Sequence, residues 1–192
     1  MIGKRMRLTL RRKIFVYSLA AIILANPFSG CSPSKPEQNP LSSAEVNTLS
    51  PHAALLLAEA LQQNTNGIVA YITTREIVFK FADSTTATVS LPDDSLVVAI
   101  APYVNGTHAC ATHYVTSCTG EMTNATVRVV ATSGGSPVID SLITTGKNGF
   151  LDLWLPRNRK IYCTLESGGK QAADTVFTFD SSKTCITTFR LQ

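Results

Sequence analysis

No apolar stretch in this 192-residue chain is long enough to cross a bilayer. The longest, Ile14–Ala25, has twelve residues, whereas a helix spanning the hydrocarbon core needs about 20. No stripe of lysine and arginine marks a nucleic-acid surface. Past the first thirty residues there is no basic amphipathic helix to suggest peripheral membrane binding. Serines and histidines occur without a nucleophile elbow or a spacing that sets a base beside a hydroxyl, and there is no phosphate loop, so hydrolase and nucleotide chemistry have no support. Asp93-Asp94 reads as a solvated turn rather than a catalytic carboxylate pair, and the sequons at Asn105 and Asn124 read as turns. Histidine is scarce, three in the whole chain, so the placing of two of them carries information.

Those two, His108 and His113, lie within the eleven residues that also hold Cys110 and Cys118. Thiolate and imidazole are the side chains that hold Cu(I) and Zn(II), and Cys185 near the C-terminus is available as a third sulfur. Three thiolates suit Cu(I) in a trigonal site; two thiolates and two imidazoles suit tetrahedral Zn(II). Cys110 and Cys118 span about 26 Å if extended, yet two sulfurs on one metal lie only about 4 Å apart, so the segment must double back. The same reversal permits a disulfide. In an extended segment His108 and Cys110 share a face, and His113, of opposite parity, needs a bend to join them. Cys163 is in phase with Ile161 and Leu165 and reads as a buried strand cysteine acting as a small hydrophobe.

The compartment comes from the start of the chain. Lys4, Arg5, Arg7, Arg11, Arg12 and Lys13 precede the apolar run, the pattern of a secretory signal peptide. Phe28-Ser-Gly-Cys31 resembles a bacterial lipobox, with phenylalanine where an aliphatic residue is usual and Cys31 as the lipidated first residue of the mature protein. Removing residues 1–30 leaves eleven basic residues against thirteen acidic, a net charge of about −2. The positive charge of the whole chain therefore belongs to the export signal.

Residues 31–46, proline-rich and polar, read as a flexible tether. The remainder predicts an α+β fold that is mainly β. A first lobe, residues 47–101, opens with a helix capped by Ser50-Pro51. Strands follow at Ile68–Thr73, Glu76–Ala82, Thr86–Leu91 and Leu96–Ala101. A second lobe, residues 102–192, carries strands at Thr126–Ala131, Val138–Thr144, Phe150–Leu155, Lys160–Glu166, Thr175–Phe179 and Ile186–Leu191. Glycine-rich turns separate them, the pattern of an antiparallel β-sandwich. Trp154 is expected in the sandwich core. The ligand-rich segment 107–118 connects the lobes, and connections on rigid scaffolds commonly carry sites.

From about Gly67 to Gln192 the sequence resembles the CueP family of periplasmic copper-binding proteins. The likeness runs through Ala101-Pro-Tyr-Val, Thr107-His108-x-Cys110-x-x-His113 and Thr116-x-Cys118-x-Gly120-Glu121. It continues through Asn148-Gly149-Phe150-x-x-x-Trp154-Leu155-Pro156-Arg157 and Thr184-Cys185-x-Thr187-Thr188. The resemblance implies a secreted or lipid-anchored protein that binds copper through Cys110, Cys118 and Cys185, with help from His108 or His113. It implies a part in copper resistance, a periplasmic recipient such as Cu,Zn superoxide dismutase, and an N-terminal lobe able to dimerise. Cys163 is an addition to the family pattern. The expectation is thus a non-enzymatic lipoprotein, placed at the outer membrane if the cell has two, that sequesters or delivers Cu(I). The rivals are a thiol–disulfide redox protein, a disulfide-stapled structural lipoprotein and a zinc site.

Overall fold

The computed structural model describes residues 41–63 and 65–192; the expected signal peptide, the expected lipidation site Cys31 and most of the expected tether lie outside them. The last tether residues are not extended. Ser43–Val46 form a short helix, α1, because Ser42 and Glu45 make a reciprocal capping box that satisfies backbone N–H groups at its start. Val46 is buried, and Asn47 Oδ1 accepts a hydrogen bond from the Thr88 backbone.

The second helix, α2 (Pro51–Ala60), starts where its capping residues predict: the Ser50 hydroxyl accepts from Ala53 N–H, with Pro51 in the first turn. It buries Ala54, Leu55 and Ala58, spaced one turn apart on one face, and leaves Leu56 to solvent. Strands β1 (Val69–Ile72), β2 (Glu76–Lys80) and β3 (Thr86–Ser90) form an antiparallel sheet in sequence order. On the central strand β2, Val78 is buried as well as Ile77 and Phe79.

The strand β4 (Ser95–Ile100) leaves that group. Its Leu96–Ile100 run is buried on both faces, as a continuously apolar strand requires, and it pairs antiparallel with β7 (Leu151–Pro156) from the far half of the chain. On its other edge it pairs in parallel with β10 (Cys185–Ile186). The expected lobes therefore share a sheet, and the described residues form one compact unit.

The third sheet is wholly antiparallel, in the order β6 (Ser136–Thr144), β5 (Thr126–Ser133), β8 (Lys160–Ser167), β9 (Lys170–Phe177). Two-residue Gly-Gly turns with positive φ at both positions join β5 to β6 and β8 to β9, the geometry that matches strand twist. The second of these starts β9 at Lys170, five residues before the strand expected at Thr175. Alternate residues Val127, Val129 and Ala131 of β5 and Ile161, Cys163 and Leu165 of β8 share one core with Leu151, Leu153 and Leu155 of β7. Cys163 is fully buried there, as its phase predicts, and burial pushes its thiol up to about 11.

Two expectations need correction. Trp154 lies on the opposite face of β7 from the three leucines, only partly buried; it packs against the edge of the core and stacks at 4.0 Å on His52 of α2. Of the strand expected at Ile186–Leu191, only Ile186 is in β10; the rest is an irregular extension held by Leu191 N–H to Tyr103 O and Gln192 N–H to Gln171 O, with Phe189 and Leu191 buried. Among the described residues no helix is long and apolar enough to cross a membrane.

Candidate metal centre

The connection between β4 and β5 is irregular but tightly stapled. Ile72 N–H donates to His113 O across the free edge of β1, and Ala70 N–H donates to the Thr116 hydroxyl. The Gln62 side chain donates to Val115 O. Buried Thr184 links three segments: its hydroxyl donates to Ile72 O and accepts from His113 N–H, and its own N–H donates to Ala111 O. Cys185 N–H donates to the same carbonyl. The first sheet, the loop and the start of β10 are thereby tied together beside the thiols.

The reversal demanded by the cysteine spacing is made in two steps. The chain bends at Ala111 and Thr112, then turns through residues 114–118, where Tyr114 O accepts from both Ser117 and Cys118 N–H. Cys118 is brought back to Cys110 with the sulfurs 3.8 Å apart. Beyond it, Gly120 and Gly149 meet backbone to backbone. A Cβ on Gly120 would lie 2.7 Å from Gly149 O, and one on Gly149, whose φ is +79°, 2.5 Å from Gly120 O. Only a pair without side chains lets this segment close on Phe150.

Cys185 enters from β10, hydrogen-bonded in register beside Ala99 of β4. His108, Cys110, Cys118 and Cys185 each offer a ligand atom, and these atoms all lie within 4.8 Å of one another. The floor is apolar, made of Ala99, Ala101 and Phe150 around buried Cys185. Cys110 and Cys118 are half-buried and His108 is exposed, so the cluster opens on one side. A groove of about 540 Å³ leads from Cys110 and Cys185 past Ile186, Phe177, Phe179 and Lys183.

Protons are unevenly shared among the sulfurs. Cys118 accepts a hydrogen bond from Cys185 and sits near His113, which together hold its thiol well below the ordinary range. Cys185, the donor, is pushed well above it, and Cys110 is raised by burial. The lowered pKa of Cys118 favours its thiolate, the form of the side chain that ligates a metal.

His113 stands outside the close set. It is fully buried, its ring 4.4 Å from that of Phe150 and its Nε2 3.8 Å from Asp152 Oδ1. Neither ring nitrogen has a hydrogen-bond partner among the described residues. Behind it lies a carboxyl pair that the residue pattern did not single out, Asp152 on β7 and Glu59 on α2. Its signal was a charged residue in the otherwise apolar strand 150–155. Burial raises the carboxyl of Asp152, with the charge of His113 opposing. Burial, then the neighbouring charge of Asp152, pushes half-buried Glu59 up to about 7. A carboxyl more basic in the fold than in the unfolded chain stabilises the fold fully below the unfolded value, about 4.5, and loses that contribution as pH rises through its folded value. Melting temperature should therefore fall between about pH 4.5 and 7, and Glu59→Gln should flatten that part of the profile. A slope identical in both proteins would refute the assignment.

Comparison with known proteins agrees with this geometry. The family model described as periplasmic copper-binding protein CueP matches residues 54–190. The crystal structure of S.CueP superposes with a TM-score of 0.67 at 28% sequence identity, covering 80% of this chain and 100% of that one. No curated protein matches the chain.

Proposed function

From the membership of this chain in the CueP family of periplasmic copper-binding proteins, we infer that it captures Cu(I) with Cys110, Cys118 and Cys185 and holds it for a recipient. The observation that carries this reading is the convergence of three sulfurs and His108 within 4.8 Å in a chain whose described residues have no disulfide among Cys110, Cys118, Cys163 and Cys185. Three soft sulfurs favour Cu(I) over harder divalent ions. His108 is at hand as a fourth donor, and His113, beneath Cys118, serves from outside the close set by favouring its thiolate.

The open side of the cluster supports transfer by ligand exchange. A recipient's donor approaches along the groove while Cys185 still holds the ion from below. A periplasmic cuproenzyme such as Cu,Zn superoxide dismutase fits that role, and the protein acts as a copper carrier rather than an enzyme. Lipidation at Cys31 would keep it at the envelope, at the outer membrane where there are two.

Anaerobic Cu(I) titration of the reduced protein against a chromophoric chelator tests the reading, with the variant Cys110→Ser/Cys118→Ser/Cys185→Ser beside it. Tight binding near one copper per chain that vanishes in the variant is the expected result. Equal binding by both proteins would overturn it. The 3.8 Å separation of Cys110 and Cys118 sulfurs also favours a second reading, in which this pair cycles to a disulfide with loss of two protons and two electrons to an oxidant. Counting free thiols in the protein as isolated separates that reading from constitutive copper binding, which needs the reduced form.

A further inference from the structure

Glu121 is a fully exposed carboxylate whose bonds are all to one short stretch of chain. It accepts hydrogen bonds from Asn105 N–H and Gly106 N–H, both at 2.9 Å, from Val104 N–H at 3.3 Å and from the Asn105 side-chain amide at 2.8 Å. An exposed acid normally spends its lone pairs on water. Here it gathers four donors from residues 104–106, which end two residues before His108. Glu121 is also three residues beyond Cys118, so the clamp ties the strand of chain bearing Cys118 to the one bearing His108 and Cys110.

The need for such a clamp is visible in the intervening backbone. Among the described residues, 107–110 take part in no backbone-to-backbone hydrogen bond. The next anchor is Ala111, whose carbonyl is held by Thr184 and Cys185. His108 is therefore suspended between Glu121 on one side and Ala111 on the other. Of the four donors it is the one without burial to hold it.

We propose that Glu121 is the positioning residue for His108, and through it sets the coordination number and metal preference of the cluster. The proposal rests on reading the cluster as a metal centre. With the clamp closed, the imidazole stands over three sulfurs and completes a four-donor site. Without it, the chain around His108 is untethered and the imidazole leaves, while Cys110, next to the anchored Ala111 and hydrogen-bonded to Thr112 O, keeps its place and three sulfurs remain. Zn(II) demands four donors in a tetrahedron, whereas Cu(I) is content with three thiolates. Loss of Glu121 should thus cost Zn(II) more than Cu(I), and sharpen the site toward copper.

The test uses the reduced protein loaded separately with Cu(I) and Zn(II), as wild type, Glu121→Ala, Glu121→Gln, His108→Ala and the Glu121→Ala/His108→Ala double variant. Chelator competition gives affinities, and X-ray absorption counts sulfur and nitrogen neighbours. In Glu121→Ala the nitrogen neighbour should disappear and Zn(II) affinity fall about 10- to 100-fold, the usual loss when an outer partner of a ligand is removed, while Cu(I) affinity changes by less. Glu121→Gln, which keeps one acceptor oxygen, should be intermediate. The double variant should bind Zn(II) no worse than His108→Ala alone, because both changes remove the same interaction. A merely structural role would lower both affinities together and add to the effect of His108→Ala. A nitrogen neighbour that persists in Glu121→Ala, or additive losses, would overturn the proposal. Wild-type protein that binds metal through sulfur alone would overturn it too and leave the copper reading standing. Wild-type protein that binds neither metal would remove the reading itself.

Discussion

Cys185→Ser should reduce Cu(I) affinity by more than about 100-fold, exceeding the roughly 10- to 100-fold cost of losing an outer partner of a ligand. Three features single out this sulfur. It is completely buried, so no water takes its place at the ion. It stands at the start of β10, whose pairing with β4 fixes its backbone, leaving a substituted side chain no room to search for a better geometry. It also lies beside Cys118 and helps lower the pKa of that thiol, so its replacement should disturb two of the proposed ligands. A serine hydroxyl is a hard, poor ligand for Cu(I). Cys163→Ser supplies the contrast. That sulfur sits in the core with Ile161 and Leu165, outside the four-donor cluster, so the change should leave copper affinity unaltered and lower stability by about 1–3 kcal/mol through burial of a hydroxyl. Chelator competition and urea unfolding of both variants check the pair of expectations. Copper affinity lost with Cys163 and kept without Cys185 would reverse the assignment.

Phe150→Ala is expected to destabilise the fold by about 3–5 kcal/mol, the range for emptying a large aromatic site in a core. Phe150 is 1% exposed and forms the floor of the sulfur cluster with Ala99 and Ala101. Its ring lies against that of His113 and 6.3 Å from that of His108. Its backbone is held at both groups: N–H donates to Asn148 Oδ1, and O accepts from Gly146 N–H. Alanine would leave a void between β4, β7 and the loop, which the surrounding sheet cannot fill by collapsing. The midpoint of urea unfolding should drop with the slope unchanged, and Phe150→Leu should recover most of the loss. Because the void adjoins Cys185 and His113, Cu(I) affinity of the protein that remains folded should fall as well. A destabilisation below about 1 kcal/mol with intact copper affinity would show that the ring is not the support of the site.

Much of the fold was legible because the signals were local. The Ser50-Pro51 start of α2, the Gly-Gly hairpins and the alternation in β5, β7 and β8 are written within a few residues of where they act. The errors came where a distant partner decided. Trp154 has the size and polarity of a core residue, but strand alternation puts it on the face opposite the three leucines, where α2 supplies His52 as its stacking partner. Ile186–Leu191 has strand-forming residues, yet β4 offers an edge to Cys185 and Ile186 alone before the chain departs toward Tyr103. The α1 turn was hidden by its proline-rich neighbours, although its capping box Ser42–Glu45 was there to be read.

The residues alone determined the ligand chemistry. Thiols and imidazoles 108–118 are soft donors whatever the fold, and the spacing of Cys110 and Cys118 already required a reversal. Their order along the chain, with Cys185 far away, left open which of them would meet. Tertiary structure decided that. A parallel two-residue pairing of β10 with β4 carries Cys185 across about 70 residues of sequence to the loop. The paired glycines 120 and 149 let the Cys118 segment close on Phe150, and the edge of β1 draws His113 under the cluster instead of into it. A metal site needs its donors within a few ångströms of one point, and that coincidence is a property of packing between distant segments, which no local pattern encodes.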